Sequence, residues 1–249
     1  MSNRNKKVCL NESLVRLIVH AIEKGIGSDI LDYLSDHRKK TNNALLQMPG
    51  DNINTNLDEM VADGENYEIL SFNRFVWEGC ILIDRENRIT YNITSQANLK
   101  LIPRKKGRTI PHYLQSLLFV ENNECKSPYH QMTFEDFGIV TFDTEALTDD
   151  FLSISDGRID INEDYRHYVI AYTARNREIE DIQILLLDKD FNTVDEQSLM
   201  EYVKPDFSKL TTTDNHTEEL MVKNPGVAKN LVSVKAGIKP KLKEEEKQA

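Results

Sequence analysis

Glu23, Glu78 and Asp84 are the acidic residues of the front half that could serve metal-assisted phosphate hydrolysis, with Asp84 closing an apolar, strand-like run. That chemistry also needs a lysine beside a carboxylate at the scissile phosphate. No strand-like segment carries the acidic-x-Lys step, so the nuclease reading fails on spacing. Asp156-Gly157-Arg158-Ile159-Asp160-Ile161-Asn162 has the rhythm of a calcium loop, but arginine holds its third position and the terminal glutamate is missing. His112 and His130 would have to meet Cys125 by long-range folding to make a nucleophile or metal site. The three cysteines, Cys9, Cys80 and Cys125, have no CxxC spacing, and HExxH, GxSxG and GxxxxGK[ST] are absent. The expectation is therefore no metal, no cofactor and no catalytic residue.

Two charged sets remain. Arg104, Lys105, Lys106 and Arg108 form the one concentrated cationic stretch of the folded part. Thr109 can cap and Pro111 can start a helix through Leu118, which places these cations before free backbone amides that favour anions. They are the candidate phosphate contacts. A solvated basic loop is the plain alternative, and no aromatic residues are interleaved with them to stack bases. The second set is acidic: residues 121–206 hold 21 Asp and Glu against 7 Lys and Arg, whereas residues 1–120 hold 14 against 16. Such a field can steer a basic partner or only keep the chain soluble. Asp149, Asp150, Asp160, Glu163 and Asp164 are the candidate contacts to a protein partner.

The elements that must position these residues follow from patterning. Tyr67–Thr94 reads as a three-stranded antiparallel meander, with Cys80–Ile83 apolar on both faces and therefore central in a sheet. Phe72, Phe75, Val76 and Trp77 supply its bulk. Ile89, Tyr91 and Ile93 alternate with Thr90, Asn92 and Thr94, the pattern of a strand with one wet face. Residues 185–194 echo residues 81–90: an apolar triplet, a turn headed by Asp188 or Asp84, then β-branched residues. Tyr168–Tyr172 and Ile182–Leu187 make a second meander, and Phe137–Asp143 reads as a further strand. Asn11 can cap a helix with an apolar stripe at Leu14, Leu17, Ile18, Ala21 and Ile22 that Gly25 and Gly27 end. Ser28 can cap a second helix, with Arg38, Lys39 and Lys40 in its last turn. Asp51–Asn56, dense in small polar side chains, reads as a structured loop leading into a short helix at Leu57–Val61. Helices are also expected over Ser95–Ile102 and Asp195–Val203, and a helix or a turn over Thr144–Ile154.

These readings give an α+β fold: a mixed, largely antiparallel sheet from two similar β-meanders, with an N-terminal helical hairpin and covering helices. Residues 1–206 form the globular region, as one core or as a near-neutral half (1–120) and an acidic half (121–206), and 207–249 read as a flexible tail. No run reaches the length of a bilayer-spanning helix and no signal core precedes a cleavage site, so a cytoplasmic life is expected. DNINTNL at Asp51–Leu57, FNRFVWEGCILID at Phe72–Asp84 and RKKGRTIPHYLQSLL at Arg104–Leu118 resemble an uncharacterised family of Gram-positive bacteria and their phages, over most of residues 10–205. The resemblance implies no function and assigns no residue. The expected function is a non-enzymatic intracellular binding protein acting on a protein partner through its acidic face, with nucleic-acid binding or processing through Arg104–Arg108 as the alternative.

Overall fold

Asn11 opens the first helix, α1 (Glu12–Ile26), by accepting the N–H of Ser13 at 2.9 Å. The computed structural model describes residues 11–37, 39–41, 43–62, 66–127 and 141–204. The chain divides into two compact units, Met1–Val203 and Lys204–Ala249, and only Lys204 of the second is described. Gly25 does not end α1 but lies inside it, and Gly27 is its C-cap. The second helix, α2 (Ser28–Asp36), is capped by Gly27 and stops before Lys39 and Lys40, so its last turn carries no cation.

Asp51–Asn56 is not a loop. It belongs to α3 (Met48–Val61), a helix with Pro49 in its first turn and Ile53, Leu57 and Val61 buried on one stripe. Asparagine is a poor helix former because its amide competes for local backbone groups, and here that amide is engaged elsewhere. Asn52 Nδ2 donates to Gly25 O at 3.2 Å; Asn56 donates to Asp29 at 2.7 Å and accepts from Lys24 Nζ. Tertiary partners thus override local propensity. The approach of α3 to α1 is close enough that a Cβ on Gly25 would fall 2.9 Å from Ile53 N, whereas one on Gly50 would meet nothing within 4 Å. The same substitution should therefore carry opposite signs. Gly25→Ala is expected to destabilise by about 1–3 kcal/mol through overpacking, and Gly50→Ala to stabilise by about 0.5–1 kcal/mol through a less free unfolded chain. Urea denaturation reads both, and equal shifts at the two sites would contradict the close packing.

The sheet has six strands among the described residues, in the order β1 (Tyr67–Arg74), β2 (Trp77–Asp84), β3 (Ile89–Ser95), β4 (Arg166–Arg175), β5 (Glu178–Leu187) and β6 (Thr193–Ser198). β1–β2–β3 and β4–β5–β6 are antiparallel meanders, and they join edge to edge through parallel β3 and β4, with Thr90 opposite His167. Both halves therefore share one sheet. The echo between residues 81–90 and 185–194 is real in geometry. Asp84 is buried and accepts the N–H of Asn87 at 3.0 Å; Asp188 is buried and accepts those of Asp190 and Asn192 at 2.9 and 2.8 Å.

Alternate residues of the sheet face opposite cores. Leu82, Tyr91, Ile170 and Ile184 pack under α1 and α3; Ile81, Ile83, Val169 and Leu185 pack under α5 (Tyr113–Glu121) and α6 (Thr144–Ser155). The link from β3 to β4 carries α4 (Gln96–Leu101), α5 and α6. Asp195–Val203 is not a helix: Thr193–Ser198 pairs with β5 as an edge strand, buried Leu199 follows, and only Met200–Tyr202 makes a short 3-10 turn. The expected strand at Phe137–Asp143 lies outside the described residues up to Val140, and Asp143 caps α6 by accepting the N–H of Ala146 at 2.7 Å.

Candidate functional site

Phe75 and Val76 do not add bulk to the core. They are the two loop residues of the β1–β2 hairpin, since Arg74 pairs with Trp77, and they are 92% and 103% exposed. Phe75 sits at φ 56°. Two-residue hairpins favour Gly, Asn or Asp at such positions, and a bulky residue there is held by surroundings at a cost of about 1–3 kcal/mol. A strained tip that also presents two large apolar side chains to water breaks two folding rules at once, which is where function is expected.

The tip stands on an aromatic base. Trp77 stacks on Tyr113 with ring centroids 5.3 Å apart, Phe72 meets Trp77 edge-on at 5.8 Å, and His112 lies 4.4 Å from Tyr113. Gly79 makes this shelf: a Cβ there would fall 2.6 Å from both Phe72 and Trp77. Arg74 then clamps the hairpin to the rest, donating from Nη1 to Pro111 O and from Nη2 to Asp150, which also accepts from Ser116 Oγ.

Arg104, Lys105 and Lys106 are exposed, and Arg108 is partly buried with Nη1 donating to Ile102 O at 2.6 Å. The cap of α5 is neither Thr109 nor Pro111. His112 takes that position: its Nδ1 accepts the N–H of Leu114 at 3.2 Å, and Gln115 Oε1 accepts the N–H of His112 at 2.9 Å. At this helix end side chains thus fill the Leu114 and His112 amides, while the Gln115 N–H donates to His112 O at 2.8 Å. Burial, then Arg108, Arg74 and Lys105, push the His112 imidazolium down to about 3. The bond from Arg74 to Pro111 O and the contact of the His112 ring with Tyr113 put the chain that follows the basic loop beside the aromatic shelf. The aromatic platform missing from the loop's own sequence is supplied by the hairpin, through contacts such as Arg74 to Pro111 that span 37 positions.

The acidic candidates separate. Asp150 is turned inward, its side chain 15% exposed and held by Arg74 and Ser116, so it ties α6 to β1 and α5. Asp149, Asp160, Glu163 and Asp164 are exposed. Asp160 also closes its own turn by accepting the N–H of Asn162 at 2.8 Å. Cations lie beside this end of the molecule: Arg85 donates to Arg158 O at 2.6 Å and to Glu68, and Arg158 pairs with Glu68 at 3.0 Å.

A buried polar network escaped the sequence. Thr90 and Asn92, on the strand face expected to be wet, are 0% and 2% exposed beneath α5. Thr90 Oγ1 donates to Glu121 and lies 2.7 Å from His167 Nδ1; His167 Nε2 meets Asn92 Oδ1 at 2.8 Å; Asn92 donates to Tyr113 OH at 3.2 Å. Burial pushes the Tyr113 phenol up to about 12, so it stays protonated. His167 is fully enclosed, and the network fixes α5 on β3 and β4. The signal for it was the helix: Tyr113–Leu118 is buried all round, so whatever strand lies beneath it cannot be wet. Among the described residues, no group of three or more His, Cys, Asp or Glu could hold a metal ion, and no helix is long and apolar enough to cross a membrane.

Fold and site define an α+β protein whose described residues build one six-stranded mixed sheet, with an exposed hairpin tip tied through Arg74 and Trp77 to Pro111 and Tyr113, just after a cationic loop. The chain belongs to a family of unknown function, DUF5986, which it matches over residues 7–249. No curated protein and no solved structure matches it.

Proposed function

We propose that this is a non-enzymatic binding protein of the bacterial or phage cytoplasm that holds single-stranded nucleic acid. Its phosphates lie on Arg104, Lys105, Lys106 and Arg108, and its bases stack against Phe75 and Trp77. The observation that carries the reading is the exposed Phe75 tip, at φ 56°, on a hairpin that Arg74 and Trp77 tie to Pro111 and Tyr113, directly after the cationic run Arg104–Arg108. Single-strand binders combine a cationic track with aromatic faces, and each stacked base contributes about 1–3 kcal/mol. The net charge of −10 does not forbid this, because exposed charges farther away than about 8 Å are largely screened at physiological salt.

Trp77 is the single tryptophan of the chain, so its emission reports on the site directly. A single-stranded dT 20-mer is expected to quench it at low salt. The logarithm of the binding constant should fall with that of salt with a slope of about −2 to −3 for three or four phosphate contacts. Lys105→Ala with Lys106→Ala should weaken binding at least tenfold, and Phe75→Ala at least fivefold. Unchanged anisotropy of the labelled 20-mer at low salt defeats the proposal.

A second reading rests on the four exposed carboxylates Asp149, Asp160, Glu163 and Asp164, which suit a basic face on a protein partner. It predicts that a partner co-purified with the chain is lost when all four are changed to Asn or Gln. Retention of the partner by that variant removes the reading.

A further inference from the structure

Arg104 borders a second feature that neither reading uses. A groove of about 460 Å³ lies over β5. Its floor is Gln183, Leu185 and Leu187, alternate residues of one strand face; α4 and the 3-10 turn at Ile102–Arg104 roof it, and the β5–β6 turn closes it. The volume falls within the roughly 300–1,000 Å³ of pockets that enclose a small organic ligand, and it is too large to be made for a bare ion.

Both walls are pinned by the chain's own hydrogen bonds. On one side Gln96 Nε2 donates to Asp181 at 2.9 Å and ties α4 to β5. On the other, the buried Asp188 carboxylate gathers the N–H groups of Asp190 and Asn192, and Phe191 N donates to Asp188 O at 3.0 Å. That frame holds Phe191 at φ 66°, a left-handed conformation that a bulky residue rarely adopts, and sets it on the groove wall. The matching turn of the first meander has its left-handed residue one position later, at Arg88 with φ 54°, and carries Asn87 where the second copy has Phe191.

The lining chooses the ligand. Lys100 and Arg104, one helical turn apart in sequence, supply positive charge for an anionic group, and Leu99, Pro103 and Phe191 supply apolar surface for a flat ring. Gln183 and Asn192 offer side-chain amide groups, and Asp190 and Glu196 accept from amino or hydroxyl groups. An aliphatic amino acid would leave most of this volume empty, and a lipid tail would bury the carboxylates against hydrocarbon. We propose that this groove is a binding site for a nucleoside 5′-monophosphate, with its phosphate on Lys100 and Arg104 and its base against Phe191. The site does not depend on the strand-binding reading, with which it shares only Arg104.

Isothermal titration of the full chain with AMP tests it. AMP should bind at least tenfold more tightly than adenosine or inorganic phosphate; Lys100→Ala should weaken it at least fivefold, and Gln183→Trp, which fills the floor, should remove it. Lys105→Ala with Lys106→Ala should leave AMP binding unchanged while weakening the dT 20-mer, so either proposal can fail alone. No heat from AMP at millimolar concentration overturns the site, as does equal binding of AMP and phosphate, or a Lys100→Ala variant that binds AMP as the parent does. Competition separates the two sources of the same chemistry. A 5′-phosphorylated dT 20-mer that displaces AMP, where the 5′-hydroxyl form does not, assigns the groove to a strand end; displacement by neither assigns it to a free nucleotide.

Discussion

Asn122→Ala is expected to lower the stability of the full chain by about 3–5 kcal/mol. Asn122 caps the C-terminus of α5 and is completely enclosed. Its side chain enters the sheet where β4 and β5 stop pairing: the last register pair is Tyr168 with Leu186, and the next two residues, His167 and Leu187, are bridged by the Asn122 amide instead. Nδ2 donates to His167 O at 2.8 Å and to Leu187 O at 2.7 Å, and Oδ1 accepts from His167 N at 2.9 Å. Truncation orphans one N–H and two carbonyls away from water, each costing about 1–3 kcal/mol, with partial relief if water enters the space. Asn122→Asp separates hydrogen bonding from volume. It is nearly isosteric, yet it faces two carbonyl oxygens with lone pairs, and it should destabilise at least as much as alanine. Urea denaturation followed by far-UV circular dichroism reads both, and a cost below about 1 kcal/mol for either variant would contradict the wedge. His167 is positioned by the same contact, so loss of Asn122 should also loosen the Thr90–His167–Asn92 network.

What was legible in the sequence is what short-range pattern encodes. The apolar triplets ending at Asp84 and Asp188 announced central strands and their turns, because a side chain that bonds backbone groups two to four residues on needs nothing distant. The stripe of α1 is legible from local spacing alone, and Thr144–Ser155 only in part, since its pattern fits a helix or a turn. Asp51–Asn56 was not, since its helical state depends on Gly25, Lys24 and Asp29, 27 to 32 positions away. Thr90 and Asn92 misled because alternation marks two faces without saying which element covers either. β6 carries four exposed residues out of six, a composition that suits an edge strand and a surface helix equally. At the candidate site the cations were visible, but their aromatic companions belong to a hairpin that folding brings up. Charge counted along the chain also overstated the acidic set, because Asp150 is consumed by Arg74 across 76 positions.

The other large effect is on acid stability, and it is set by His112. The cap of α5 works through the lone pair on His112 Nδ1, which accepts the Leu114 N–H; a protonated ring has no such acceptor. Burial opposes protonation, as do Arg108, Arg74 and Lys105, so the folded group titrates near 3 against an ordinary value of 6.5. Between those values the unfolded chain binds the proton and the folded one does not, so stability rises with pH through this window. The contribution is complete above about pH 6.5 and is lost progressively as pH falls toward 3. A tenfold difference in proton affinity between the two states corresponds to about 1.4 kcal/mol, and allowing for the partial exposure of the ring the loss is about 2–4 kcal/mol. Asn is among the best N-cap residues and does not titrate. His112→Asn should therefore match the parent within about 1 kcal/mol at pH 7.5 and exceed it increasingly below pH 6. Glu68, whose carboxyl burial raises but whose Arg85 and Arg158 partners bring below the usual range, makes both proteins acid-sensitive and cancels in the difference. Parallel stability curves for parent and variant between pH 7.5 and 3.5 would show that His112 is free to charge in the folded state, and that the cations of the basic loop do not gather around it.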